Sequence, residues 1–315
     1  MVVYEKLDNL PLINSSSLTI GSFDGIHVGH LEILKKLIQL SSSSNSTSVV
    51  ITFNPHPRSI LSPKIFKKNI MITSLVKKIE IFKSIGIDIV LVLPFNKNLS
   101  LMTADNFLEK IIIKKFKPKD IVIGYDHHFG YKRAGNSLFL EKKSKKFNFQ
   151  LHQIDKQSKN GYKISSSLIR QMLNTDNIEI VNSLLGWNYE LKGTIIKGKG
   201  IGKTIGFPTA NINPVDKNQI IPKNGVYFIN IKINTQTYSG MCNIGLRPTV
   251  KGKDLSIEVN IFTEKNINIY GKTVSVIFLN YLRNEIDFQT INKLKEQLIK
   301  DKNNCIKIES NSKGE

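Results

Sequence analysis

The segment GSFDGIHVGH, Gly21 to His30, sets His27 and His30 three residues apart among three glycines and an aspartate. Such a pair could ligate a metal, exchange protons or hold an anion. A metal needs a third ligand, for which His127 or His128 could serve, and no carboxylate or cysteine stands at a matching offset. Helical periodicity starts near His30, so backbone N–H groups and a positive dipole end would face the pair, which suits a phosphate. Gly29 lets a phosphate or an adenine approach the backbone closely. A second cluster, ISSSLIR, offers hydroxyls and N–H groups from Ser165, Ser166 and Ser167 at another helix start, with Arg170 one turn inside. Its planar fork could clamp a second phosphate. Alone, that motif is a serine cap with a solvated arginine.

The second half carries a different set. GKGIGKT, Gly198 to Thr204, has three residues between Gly198 and Gly202 where a P-loop needs four, and the β-type IGFPTANI follows it. It is therefore a glycine-rich loop on a β scaffold. Thr209 and Asn211 lie two apart, on one face of an extended segment after Pro208. As oxygen donors they suit Mg²⁺ held chiefly through nucleotide phosphates, and equally a turn following proline. Phosphate transfer to an alcohol would need a base, and no histidine follows His152. Among the few carboxylates of this half, Glu258 lies in LSIEVNIF opposite the apolar Leu255, Ile257, Val259 and Ile261. Without context it is a solvent-facing strand glutamate.

The elements that must position these residues differ between halves. SLTI, SVVITF, IDIVLVLPF and DIVIG are short apolar strands alternating with amphipathic segments, HLEILKKLIQL, SLVKKIEIFKSIG and TADNFLEKIIIKKF. Thr103 is an N-cap candidate, Gly86 a terminator, and the serines from Ser41 are expected to stop the first helix. This βαβα order predicts a doubly wound parallel sheet, with ligands at the carboxyl ends of its strands. GSFDGIHVGH, NPHPR (Asn54–Arg58) and GYDHHFGYKRAG (Gly124–Gly135) all follow strands. From about Tyr189, short β segments separated by Gly, Asn and Pro predict an antiparallel barrel or sandwich. One amphipathic helix is expected over 290–300, then a polar, frayed tail. The expected domains are 1–185 and 186–315.

Forty-five Lys and Arg against 25 Asp and Glu give a formal charge of +20. The lysines are scattered rather than interleaved with aromatics, which favours compositional drift together with phosphorylated substrates over specific nucleic-acid binding. Two cysteines, Cys242 and Cys305, make no disulfide framework. No secretory signal and no run approaching ~20 apolar residues is present. A cytoplasmic protein with no membrane partner is expected; its oligomeric state is left open.

In order, the first-half motifs resemble the nucleotidylyltransferase superfamily. FDG before the histidines, with GYDHHFGYKRAG between the clusters, is similar to the adenylyltransferase half of the bacterial bifunctional riboflavin kinase/FAD synthetase family. In the second half KGTIIKGKGIGKTIGFPTANI, GVY, GMCNIGLRPTV, IEVNIF and YLRNEIDF resemble its riboflavin kinase domain, in the family's order. The resemblance implies phosphorylation of riboflavin to FMN, then adenylylation of FMN to FAD, with ATP and Mg²⁺. It implies an adenylyltransferase site of Gly21, Phe23, Asp24, Gly25, His27, Gly29, His30, Ser165, Ser166 and Arg170. Asn54, Pro57, Asp126, Phe129 and Arg133 would lie on its flavin side. In a six-stranded kinase barrel it implies ATP at Gly198, Gly202, Lys203 and Pro208, and metal at Thr209 and Asn211. Flavin would lie at Asn243 and Arg283, with Glu258 the base toward the ribityl 5′-hydroxyl. A nucleotidylyltransferase with another acceptor, or a basic nucleic-acid-binding protein, are the alternatives.

Overall fold

The computed structural model describes residues 1–62, 70–197, 201–249, 252–263 and 269–313. Gly198 lies outside the described residues, as does the side chain of Lys203. Two compact units, Met1–Ser166 and Ser167–Glu315, divide the chain.

The first unit is built on six strands: β1 (Val2–Tyr4), β2 (Ser16–Ile20), β3 (Thr47–Asn54), β4 (Ile89–Pro94), β5 (Pro118–Gly124) and β6 (Gln150–Ile154). They form one parallel sheet in the order β1-β4-β3-β2-β5-β6. Successive strand residues face opposite sides. Leu18, Val49, Ile51, Leu91 and Ile121 enter one core, and Val50, Val90, Val92 and Val122 the other. Buried on both faces, these strands read as continuous apolar runs. β2 sits where the order reverses, with β3 on one side and β5 on the other. A ligand crevice belongs at the carboxyl ends there. A small hairpin, β7 (Ser158–Lys159) and β8 (Tyr162–Lys163), precedes the helix Ser166–Leu173.

The expected N-cap Thr103 and terminator Gly86 form, and Ser74 caps its helix as well. Ser74 accepts from Lys77 N, Thr103 accepts from Asn106 N, and Gly86 ends its helix in the left-handed conformation at φ 94°. Three expectations are corrected. The helix Val28–Ser43 includes serines 41–43, because Ser41 and Ser43 bond back to the carbonyls of Ile38 and Leu40 at 3.0 Å each. The C-terminal helix runs over Ile291–Lys313, well past residue 300. β1 and β6 join the four strands read from the sequence.

The second unit closes six antiparallel strands into a barrel: β9 (Glu190–Ile196), β10 (Thr209–Pro214), β11 (Gly225–Ile233), β12 (Gln236–Thr249), β13 (Gly252–Ile261) and β14 (Thr273–Arg283), ordered β10-β13-β12-β11-β14-β9. Closure removes the edges that an open sheet would expose. Register partners Tyr227, Cys242 and Val259 are fully buried on the inner face. On the other face, Phe228 and Met241 pack with Ile205, Phe207, Leu294, Leu298 and Cys305. The helix Ile178–Leu185 is tied to β14, Asn182 Nδ2 donating to Phe278 O at 2.9 Å. No described helix is long and apolar enough to cross a membrane.

Candidate active site

At the carboxyl end of β2 the chain makes a tight loop, with Phe23, Gly25 and Ile26 at φ 46°, 93° and 37°. Asp24 holds it: the buried carboxylate accepts from Ile72 N at 3.0 Å and Thr73 N at 3.2 Å. Ser166 Oγ, at the end of the first unit, donates to the Asp24 carbonyl at 2.8 Å. Asp24 is therefore a scaffold residue, and Phe23 is a wedge beneath the histidines, its ring edge-on to His30 (5.2 Å) and Phe82 (5.6 Å).

His27 caps the helix Val28–Ser43, its Nδ1 accepting from His30 N at 3.3 Å. That acceptor role places the proton of a neutral ring on Nε2. The His30 ring stacks on it, centroids 3.7 Å apart and 11° from parallel. A methyl group on Gly29 would stand 3.3 Å from the His27 ring. Burial, then the neighbouring His27 and Lys78, push the His30 pKa well below its ordinary value. His30 is thus a neutral donor–acceptor, and its Nδ1 is buried without a hydrogen-bond partner among the described residues. An unsatisfied buried nitrogen at a helix N-terminus marks a place for an anion or polar ligand.

The next loops close the same end of the sheet. Asn54 ends β3, and Pro57 opens a short helix capped by His56, whose Nδ1 accepts from Arg58 N at 3.1 Å. After β5, Phe129 and Gly135 exchange two backbone hydrogen bonds, at 2.8 and 2.9 Å. Phe129 is buried against Phe107, and a Cβ at Gly135 would stand 2.6 Å from its ring. Phe129 is an anchor; Asp126 and Arg133 are the exposed members of this motif. Burial, with the charge of His128, lowers the His127 pKa to about 4. Arg170 lies one turn into the helix begun by Ser166, in the second unit, and Asn174 Nδ2 donates to its carbonyl at 2.8 Å. Lys78, which the sequence reading passed over, is 2 % exposed and donates to Ser22 O at 2.9 Å.

In the barrel, Asn211 and Asn243 flank Glu258 as its register partners, and Thr209 pairs with Asn260. All share the outer face. Thr209 Oγ1 donates to Glu258 Oε2 at 3.3 Å, and Ser256 Oγ lies 3.4 Å from both Glu258 Oε1 and Asn211 Oδ1. Asn260 Nδ2 donates to Pro208 O at 2.8 Å, holding the segment before β10 on β13. Asn211 is 7 % exposed, and its Nδ2 has no partner among the described residues. A hydroxyl, an amide and an adjacent carboxylate are the hard donors that Mg²⁺ accepts when phosphates and water complete its octahedron. Among the described residues no group of three His, Cys, Asp or Glu could hold a metal without such help.

Before β10 the chain makes one helical turn, Ile201–Thr204, which the sequence did not reveal. Gly202 O accepts from Phe207 N at 2.8 Å, and a Cβ at Gly202 would strike the Phe207 carbonyl. Arg283 is engaged by Asp301, with Nε to both carboxylate oxygens at 3.0 Å and Nη2 at 2.7 Å, while Nη1 donates to Asn284 O. The pair lines a groove of ≈ 530 Å³ with Lys300 and Lys307.

Two family models match the chain, FAD synthetase over residues 11–168 and riboflavin kinase over 185–309. A bifunctional riboflavin kinase/FMN adenylyltransferase of Buchnera aphidicola subsp. Schizaphis graminum is 38% identical over 307 residues, covering 96% of each chain. One of the same description from Haemophilus influenzae is 35% identical, over 92% of this chain and 93% of its own. A crystal structure from Streptococcus pneumoniae, described as a macrolide-efflux protein, is 30% identical with a TM-score of 0.86, covering 96% of this chain and 97% of its own. That description names efflux, whereas both family models and the two curated relatives name flavin chemistry.

Proposed function

The chain belongs to the family of bifunctional riboflavin kinase/FMN adenylyltransferases, and on that premise we propose which of its residues carry each reaction. It is a two-activity enzyme: riboflavin and ATP give FMN and ADP, and FMN and a second ATP give FAD and pyrophosphate.

For adenylyl transfer the nucleophile is an FMN phosphate oxygen, already ionised at neutral pH, so the site needs alignment and charge stabilisation rather than a strong base. His27 and His30 hold the ATP phosphate chain at the start of the helix Val28–Ser43, with Gly21, Gly25 and Gly29 leaving room for it. Phe23 and Asp24 fix the loop, Ser165 and Ser166 add donors, and Arg170 stabilises charge on the departing pyrophosphate. Asn54, Pro57, Asp126, Phe129 and Arg133 frame the flavin. The observation that carries this reading is the stacked histidine pair at a helix N-terminus, where the strand order reverses.

For the kinase reaction, Glu258 takes the proton of the ribityl 5′-hydroxyl as its oxygen attacks the γ-phosphate of ATP. The Thr209 hydroxyl, 3.3 Å away, orients the carboxylate. Mg²⁺, when bound beside Thr209 and Asn211, neutralises phosphate charge. Gly198, Gly202, Lys203 and Pro208 take the nucleotide side, and Asn243 and Arg283 the flavin side. The functional division is 1–185 and 186–315, and the setting is the cytoplasm, without specific nucleic-acid or membrane partners. Incubation with riboflavin, ATP and Mg²⁺, followed by chromatography, should yield FMN and then FAD. Absence of both products overturns this reading.

A further inference from the structure

Among the described residues, two ring nitrogens are buried without a hydrogen-bond partner, His30 Nδ1 and His127 Nε2. The first belongs to the histidine pair after β2. The second follows β5, which pairs with β2 so that Thr19 lies opposite Val122 and the carboxyl ends of the two strands run side by side. A Cβ at Gly124, which ends β5, would stand 3.2 Å from Ile33 Cδ1, three residues beyond His30 on the helix Val28–Ser43. Both histidines thus sit at the ligand-binding end of the sheet, on neighbouring strands. The loop around His127 is pinned. Its N–H donates to Gly124 O at 3.2 Å, and its ring lies 5.8 Å from that of Phe129, tilted by 33°. Phe129 is fixed in turn by Gly135, Phe107 and Phe139. Tyr131 N donates to Met102 O at 2.7 Å, and a Cβ at Gly130 would stand 2.6 Å from Ala104 N. His127 is half-buried between the exposed Asp126 and His128, so its ring is reached from solvent. A buried nitrogen with its hydrogen bond unmade opposes folding, and phenylalanine would fill the same place without that cost. A polar ring held there against stability marks a functional contact, one completed by a ligand.

We propose that His127 is a specificity residue of the adenylyl-transfer site: its Nε2 hydrogen-bonds the polar rim of the flavin ring of FMN. This rests on the reading that the first unit adenylylates FMN, with Asp126, Phe129 and Arg133 around the flavin. The neighbouring rings of His127 and Phe129 suit a flat aromatic ligand. The nitrogen suits one whose rim alternates carbonyl and N–H groups, as the flavin's does. An imidazole nitrogen donates or accepts according to its tautomer, so it meets either kind of group. No proton is transferred; the bond selects the acceptor.

The test is His127→Phe in the full chain, where riboflavin phosphorylation serves as an internal control. The KM for FMN in adenylylation should rise about tenfold, as expected for one lost hydrogen bond to a ligand. The change in kcat should be smaller, and the KM for ATP should stay near wild type. The melting temperature at neutral pH should hold or rise, because the unsatisfied nitrogen has gone. An unchanged KM for FMN overturns the proposal, and so does an increase confined to ATP. If the Phe variant melts lower than wild type, His127→Gln decides, since its amide restores a donor and an acceptor. A KM for FMN close to wild type upholds the hydrogen bond; one as high as in the Phe variant assigns His127 to packing and overturns it. In the wild-type chain the His127 ring nitrogen resonance should move on addition of FMN and stay in place with ATP alone; a resonance that ignores FMN is equally fatal. Failure of the wild-type chain to make FAD from supplied FMN and ATP removes the underlying reading. FAD synthesis with an FMN KM untouched by His127→Phe removes only His127.

Discussion

Glu258 looks, in the sequence alone, like any strand glutamate. Its neighbours support the proposed role: two register partners are asparagines, a threonine hydroxyl donates to it, and its strand neighbour Ser256 lies at 3.4 Å. Glu258→Gln keeps the shape and removes the proposed base. Kinase turnover should fall at least about 10²-fold, with FAD formation from supplied FMN retained; retained turnover in a riboflavin-phosphorylation assay would refute the base role. At His127, burial and the charge of His128 hold the pKa down to about 4, against about 6.5 for an ordinary imidazole. Between those values the unfolded chain binds more protons than the folded one, so stability rises with pH through that window. The contribution is present above about pH 6.5 and is lost as pH falls toward 4. The melting temperature of the first unit should drop across that range, and less steeply in His127→Gln.

At the scale of elements, what a strand or helix presents is set by its pairing. The strand β13 turns Ile257 and Val259 inward and Glu258 and Asn260 outward, an alternation legible as LSIEVNIF. The cap Thr103 and the terminator Gly86 were equally legible, because capping is local chemistry. β1 and β6 were not: one is three residues long and the other, QLHQI, alternates in polarity too weakly to stand out. The length of the C-terminal helix was hidden too. Its last turns are polar along the chain, yet Asp301 and Cys305 are buried on the side that packs. There Asp301 is bonded to Arg283, 18 residues away, and to Gln297. Asp301→Ala would strand the Arg283 charge and should cost the second unit about 3 kcal/mol, read as a lower denaturant midpoint.

Across the whole chain, two phosphate chemistries sit on two scaffolds that manage charge differently. The first unit gathers donors at a helix start, where backbone N–H groups are already unsatisfied. The barrel instead gathers hydroxyl, amide and carboxylate oxygens of Thr209, Asn211 and Glu258 on one face, donors that suit a bridging cation. Both reactions also act on ATP, whose phosphates carry Mg²⁺ most readily. Removing Mg²⁺ with a chelator should stop FMN and FAD formation together, and added Mg²⁺ should restore both. Persistent kinase turnover would contradict the role of Thr209 and Asn211.

The sequence by itself determined the fold class of each half and the order of the motifs, because apolar periodicity and glycine, proline and capping chemistry are local properties of the chain. Tertiary structure alone decided which residues of different elements meet. It stacked His27 on His30, drove Lys78 into the core beside them, and used Asp24 and Phe129 as supports. It also brought Thr209 to Glu258 across 49 residues. Strand order, barrel closure and burial are long-range outcomes of packing, and no local pattern encodes the partner a side chain meets there.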